Sequence, residues 1–186
     1  MPITTLDTRT ALVVIDLQQG MTSLTLLHPL GEIVARSCAL IEAFRRHTLP
    51  VVLVNVEGKP PGRSERGFRM QVLPADFAEL LPALNQQPQD HIVTKRTPGA
   101  FTNTDLESYL KRQGITQIVL VGIATSNGVE ATARHAYELG FNVSFAIDAI
   151  TDGDAEAHAN SVSRIFPKLG ETGLSAAFIT LLDNKE

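Results

Sequence analysis

Short unbroken apolar runs, separated by stretches of helical periodicity, set the limits on how this chain can fold. Thr10–Ile15 (TALVVI) is rich in β-formers, nearly free of polar residues, and ends at Asp16. Val51–Val56, introduced by Pro50, and Gln117–Val121 follow the same pattern. A strand without polar alternation has to be covered on both faces, which is the condition of a parallel sheet. His91–Thr94 and Val143–Ile147 read as further strands, and Glu171–Gly173 as a short edge strand. Between them the spacing predicts helices. Ile33–His47 carries Ile33, Val34, Ser37, Leu40, Ile41 and Phe44 on one face. Asn103–Gln113 has Asn103 or Thr104 as a cap and Gly114 as a stop. Gly128–Leu139 stops at Gly140, Ala155–Phe166 follows, and Ser175 is placed to cap Ala176–Leu182. The expected architecture is α/β: a three-layer α/β/α sandwich with a mainly parallel sheet of about six strands, Rossmann-like, in one domain over residues 1–186.

Composition narrows the function. The 186 residues carry a net charge of −4, with 16 basic and 20 acidic residues intermixed, so neither nucleic acid nor an anionic membrane is the expected partner. No apolar run approaches the ~20 residues of a membrane helix. The start, MPITTLDTRTALVVIDL, has no basic region before its apolar stretch and does not read as a signal peptide. One cysteine excludes an internal disulfide and suits a reducing, cytoplasmic setting. The five histidines are scattered without ligand spacing, so no metal site and no cofactor are expected. The segment 57–89 holds five of the ten prolines and is too long for a plain connector. It reads as a binding loop, a lid or an interface arm.

Open parallel sheets bind ligands beyond the carboxyl ends of their strands, where the winding reverses. Asp16 follows the first strand, Lys95 the third, and Gly128 opens the helix after the fourth. Each has a plain alternative: Asp16 can cap a turn, and Lys95 can be a solvated surface lysine. Thr125, Ser126 and Asn127 are ordinary N-cap residues, and the same geometry would aim backbone N–H groups into a pocket. Two readings stand for Arg96, a contact to an anionic substrate or a structural ion pair. Phe101 and Tyr137 could flank a ligand, although Tyr137 shares a helical stripe with Val129, Thr132, Ala133 and Ala136 and reads as core. Cys38 falls within the first helix, away from the strand ends, and reads as a small buried or half-buried thiol.

The segment VLVGIATSNGVEATARHAYELGF, with LVVIDLQQG, TKRTPGAFTNTDLESYL and DAITD, resembles the landmarks of the isochorismatase-like hydrolases, the cysteine hydrolase superfamily. The resemblance covers nearly the whole chain. It implies an aspartate–lysine–cysteine triad that falls on Asp16, Lys95 and Gly128, with glycine where the family's nucleophile stands. It implies a substrate-binding region around Ala124, Thr125 and Asn127, with an oxyanion hole and a non-proline cis peptide at Ile123–Ala124. It also implies a homodimer or homotetramer acting on a small molecule. Many nicotinamidase-like members carry an Asp-x-His metal motif after the second strand; here that place reads Asn55-Val56-Glu57-Gly58.

Covalent amide hydrolysis needs an activated nucleophile, and glycine offers none. Ser126 has no base evidently paired with it in the sequence. What the residues leave is acid–base chemistry by Asp16 and Lys95, and cysteine-less isochorismatases supply the family precedent. They protonate an enol ether and let water capture the cation. A catalytically idle relative that binds a metabolite or serves in an assembly is the alternative. Two unit charges ~4 Å apart at an effective dielectric of ~20 attract by ~4 kcal/mol, or roughly three pKa units. A Lys95 contact should therefore keep Asp16 ionised unless an anionic substrate draws Lys95 away. Arg63, Arg66 and Arg69 in the long loop are candidates to hold a substrate carboxylate.

Overall fold

The computed structural model describes residues 2–65 and 73–184. Six strands form one parallel sheet in the order β3-β2-β1-β4-β5-β6. They are β1 (Thr10–Ile15), β2 (Val51–Val56), β3 (His91–Lys95), β4 (Gln117–Ile123), β5 (Asn142–Thr151) and β6 (Gly170–Gly173). The helices are α1 (Leu30–Arg46), α2 (Leu106–Arg112), α3 (Glu130–Glu138), α4 (Ala155–Asn160), α5 (Phe166–Leu169) and α6 (Ser175–Asp183). One π-helical turn, Thr125–Val129, runs into α3, and another, Ser161–Ile165, joins α4 to α5. No helix among the described residues is long and apolar enough to cross a membrane.

Burial on both faces explains the unbroken apolar strands. In β1, Ala11, Val13 and Ile15 pack with Leu106 and Leu110 of α2, Ala133 and Ala136 of α3, and Phe166 of α5. The alternate residues Leu12 and Val14 pack with Ile33, Leu40, Ile41 and Phe44 of α1 and Phe178 and Leu182 of α6. Each such side chain contributes ~1.5–3 kcal/mol on leaving water, so neither face could be left uncovered.

The strand order reverses beside β1. The chain winds outward through β2 and β3, then returns to the other side of β1 as β4. This opens a crevice between the ends of β1 and β4, where ligands of such sheets bind. The two strands come very close there. A Cβ on Gly122 (φ +114°) would lie 2.0 Å from the Ile15 carbonyl oxygen, so only glycine fits.

Several elements differ from the sequence reading. β5 runs on through Thr151, although Asp148 interrupts its apolar pattern. That carboxylate accepts both the N–H and the Oγ–H of Ser175, each at 2.7 Å. Asp148 thus caps α6, and Ser175 is its first residue rather than its cap. α2 begins only at Leu106; Asn103 has φ +56° and cannot enter a helix, while Thr104 Oγ1 accepts the Leu106 N–H at 3.4 Å. Tyr137 is 55% exposed and not core. Each i,i+4 step turns about 40° around a helix, so the row that buries Val129 and Ala133 has rotated out of the interface at Tyr137.

Candidate active site

Asp16 leaves β1 with φ +52°, a left-handed turn that swings it out of the strand. Its N–H still bonds the Val54 carbonyl at 2.9 Å, which anchors it to β2. Lys95 is the last residue of β3 and is 2% exposed. Its chain crosses the end of β2, and Nζ donates to Asp16 Oδ2 at 2.7 Å and to the Thr97 carbonyl at 3.3 Å. Asp16 Oδ1 is buried and has no hydrogen-bond partner among the described residues.

Burial and the lysine pull the Asp16 carboxyl in opposite directions. Loss of water disfavours the charge, while the Lys95 charge and hydrogen bond favour it. Desolvation is the larger effect, and the pKa is raised from 3.8 to about 6. Asp16 is thus mainly ionised at neutral pH, as a Lys95 contact leads one to expect, but its pKa is shifted up and not down, because both charges also lose their water.

A cavity of about 230 Å³ opens over this pair. Beyond Asp16 and Lys95, β3's end adds Thr97 and Pro98, and β4's end adds Ile123, Ala124, Asn127 and Gly128. The segment after β1 gives Met21 and Leu24, the end of β2 gives Val56, and the long segment after it gives Gly58, Lys59, Pro60 and Phe77. The volume lies below the ~300–1,000 Å³ of pockets for drug-sized ligands and suits a small molecule. A Cβ built on Gly128 would lie 3.4 Å from Asp16 Oδ2, so this position faces the carboxylate. The bond Ile123–Ala124 is cis, as the resemblance implies.

Not every candidate reaches the cavity. Arg96 is 75% exposed at its side chain and pairs with Glu57 through Nε and Nη2, at 2.8 and 2.6 Å, so the ion-pair alternative is the one adopted. Phe101 is buried in the core beside His135 and Phe141 and does not line the cavity. Thr125 is fully buried and faces His158, with Oγ1 2.9 Å from Nδ1. Ala124, Asn127 and Gly128 do line it. The N–H groups of Asn127 and Val129 both bond the Ala124 carbonyl at 3.1 Å, and that of Ser126 bonds Asp152 at 2.7 Å. These three are committed within the protein and are not open to an oxyanion. Ser126 Oγ also bonds Asp152, at 2.8 Å, so it does have a carboxylate partner, but it does not line the cavity.

Of the basic loop, Lys59 reaches the cavity wall; Arg63 is exposed and does not line it, and Arg66 and Arg69 lie outside the described residues. Cys38 lies on α1, where Sγ donates to the Ala83 carbonyl. Among the described residues no three His, Cys, Asp or Glu side chains come together to hold a metal ion. Gln18 escaped the sequence reading. It is fully buried, its Nε2 donates to the Val56 and Phe77 carbonyls at 2.9 and 2.7 Å, and its Oε1 accepts the Val56 N–H at 2.7 Å. It thereby holds the long loop against β2 and presents Phe77 to the cavity. The only signal was its place in LVVIDLQQG, two residues beyond Asp16.

A parallel sheet with helices on both faces, and a buried carboxylate–ammonium pair in a crevice at the strand-order reversal, defines the class as an α/β protein with a candidate ligand site at its strand ends. Residues 10–177 match the isochorismatase domain, and the chain belongs to the isochorismatase family. It is 39% identical over 178 residues to YwoC of Bacillus subtilis, an uncharacterized isochorismatase family protein, across 92% of this chain and 93% of that one. The solved structure of an isochorismatase family protein from Burkholderia thailandensis superposes with a TM-score of 0.86 at 41% identity, covering 97% of this chain and 98% of the other. A more distant relative is the maleamate amidohydrolase of Pseudomonas putida, 27% identical over 172 residues, 87% of this chain and 81% of that one.

Proposed function

We propose that this chain is a hydrolase of a small carboxylated metabolite, that it cleaves an ether or C–N bond, and that Asp16 moves the protons without a cysteine nucleophile. The observation that carries the reading is Asp16 itself. One carboxyl oxygen is held by Lys95, the other is buried and without a bond among the described residues, and the pKa is lifted to about 6. A protonated carboxyl needs an oxygen that no ammonium occupies, and Oδ1 is that oxygen. An acid poised near neutrality is suited to general acid catalysis.

Acid chemistry favours an enol ether as the bond cleaved. The proton on Asp16 passes to the enol ether carbon, and an oxocarbenium-like centre forms. Water adds to that centre and returns a proton to Asp16. The resulting hemiketal collapses to an alcohol and a carbonyl compound, so the sum is one bond cleaved and one water consumed. With Gly128 beside Asp16, no protein nucleophile is available at that position, and none is required. A carboxylate on the substrate is supported by the cations of the cavity. Lys95 has a third N–H beyond its two bonds, and Lys59 lines the wall. Drawing Lys95 toward a substrate anion would raise the Asp16 pKa further and load the acid.

The test is turnover by purified protein of small carboxylated enol ethers and, alongside, of small carboxylated amides. Enol ether cleavage is expected, with a loss of ~10²-fold or more in Asp16→Asn. Saturable binding of these compounds without turnover would overturn the enzymatic reading in favour of a metabolite-binding protein.

A further inference from the structure

Ala124, Asn127 and Gly128 line the cavity, but the two residues between Ala124 and Asn127 do not. They enter a separate polar cluster beneath α4. Thr125 Oγ1 lies 2.9 Å from His158 Nδ1. The Ser126 N–H and Oγ–H both donate to Asp152 Oδ2, and Asp152 Oδ1 accepts the Asp154 N–H at 3.1 Å. The Asp152 carbonyl accepts the Leu27 N–H at 2.8 Å. His28 packs edge-on against His158 with ring centres 5.2 Å apart, and its Nδ1 lies 3.1 Å from Thr151 Oγ1. The cluster thus joins two walls of the cavity, the segment that supplies Met21 and Leu24 and the segment Ala124–Gly128. None of its polar groups serves the proposed proton transfer.

We infer that His158 is a positioning residue, which fixes the Thr125 hydroxyl through Nδ1 and so transmits its own protonation state to the cavity wall Ala124–Gly128. Neutral His158 can offer Nδ1 as the acceptor of the Thr125 hydroxyl. Protonated, Nδ1 becomes a donor, and the hydroxyl must turn its hydrogen to another acceptor at a place with no access to water. Protonation also sets a cation against His28. Burial and His28 hold His158 below the ordinary histidine range, with Asp152 pulling the other way. The other charged groups on the surrounding elements carry both signs, the cations being Arg134 of α3 and Arg164 of the turn after α4. Asp154 caps α4 with its Oδ1 engaged by the N–H groups of Glu156 and Ala157, Glu156 lies in the first turn, and Glu130 of α3 pairs with Arg134 and Ser161. Carboxylates favour the proton, but burial, His28 and the Thr125 hydroxyl oppose it, and proton uptake by His158 disturbs an arrangement built around the neutral ring. The inference rests on reading the cavity as the ligand site, but its test needs no ligand.

The full chain, labelled with ¹⁵N, is titrated downward from neutral pH while the amides of Asn127 and Gly128 are followed. Both are expected to shift with an inflection below 6.5, the ordinary histidine value. The inflection is expected to persist in Asp16→Asn, which removes the titration of the carboxyl beside Gly128, and to vanish in the double variant Asp16→Asn/His158→Asn, whose second substitution keeps an acceptor near the Nδ1 position but cannot titrate. In His158→Leu, which has no acceptor, hydrogen exchange at Asn127 and Val129 should quicken by about tenfold or more, while His158→Asn stays within about threefold of the unaltered chain. An inflection that survives in the double variant, or that is absent from Asp16→Asn, assigns the signal elsewhere and overturns the inference. So does unchanged exchange in His158→Leu; should that variant fail to fold, the titration of the double variant decides alone. Absence of hydrolase activity would leave all these outcomes unaltered.

Discussion

Lys95 Nζ and Asp16 Oδ2 lie 2.7 Å apart with both side chains almost wholly buried, yet the carboxyl titrates above its ordinary value rather than below it. An ion pair in this position is a balance of two large opposing effects, and here desolvation exceeds attraction. The pair is accordingly better suited to handling protons than to stabilising the fold. The neighbouring Gly128 adds no side chain to the wall beside this carboxylate.

The pH–rate profile should report the acid form. For the free enzyme, kcat/KM is expected to fall as pH rises through about 6, the Asp16 value. The descending limb of kcat should lie at higher pH, because a substrate anion that draws on Lys95 leaves Asp16 less supported as an anion. Initial rates across pH on a substrate that is turned over measure both limbs. Coincident limbs would remove the substrate-loaded acid.

Stability should depend on pH through the same group. Between 3.8 and about 6 the native chain holds a proton on Asp16 that the unfolded chain has released. This contribution to stability is full below 3.8 and is lost as pH rises through about 6, with a slope of at most ~1.4 kcal/mol per pH unit. Urea unfolding at several pH values, compared with Asp16→Asn, isolates the contribution. The difference between the two proteins should change with that sign.

Lys95→Met should raise the Asp16 pKa further, since desolvation then acts unopposed. Stranding a buried charge costs ~3–5 kcal/mol, but Asp16 can take up a proton, so the stability loss at pH 7 should be smaller than that. Carboxyl ¹³C titration gives the pKa and chemical denaturation the stability. A carboxyl pKa that falls in this variant would contradict the account.

Gly128→Ala should be felt in both packing and chemistry. Its methyl would lie 3.0 Å from Ile15 Cγ2 and 3.2 Å from the Ile123 carbonyl oxygen, so buried neighbours have to give way. A loss of ~1–3 kcal/mol is expected from overpacking. Gly128→Cys carries the same strain but sets a thiol beside Asp16, and should bring a burst of product from small activated amides. Rapid-mixing kinetics detect the burst, and its absence in a folded variant would show that the site no longer supports a nucleophile.

Gln18→Ala removes three hydrogen bonds that hold the loop to β2. Buried groups left without partners cost ~1–3 kcal/mol, so lower stability is expected, together with a raised KM as Phe77 loses its support. An unchanged KM would place Phe77 outside substrate binding.

The core strands, their parallel class and the helices between them were legible because two-sided burial writes itself locally, as unbroken apolar runs beside helical periodicity. The strand-end positions of Asp16, Lys95 and Gly128 followed from the same pattern. Which way a polar side chain turns depends on contacts between residues far apart in the chain, and no local pattern carries it. So Arg96 went to Glu57, Thr125 to His158 and Phe101 to the core, while the partners of Gln18 and Asp152 and the place of Lys59 on the cavity wall were decided only in three dimensions. The sign of the Asp16 shift belongs with these. Charges can be counted along a chain, but the water they lose is set by everything that packs around them.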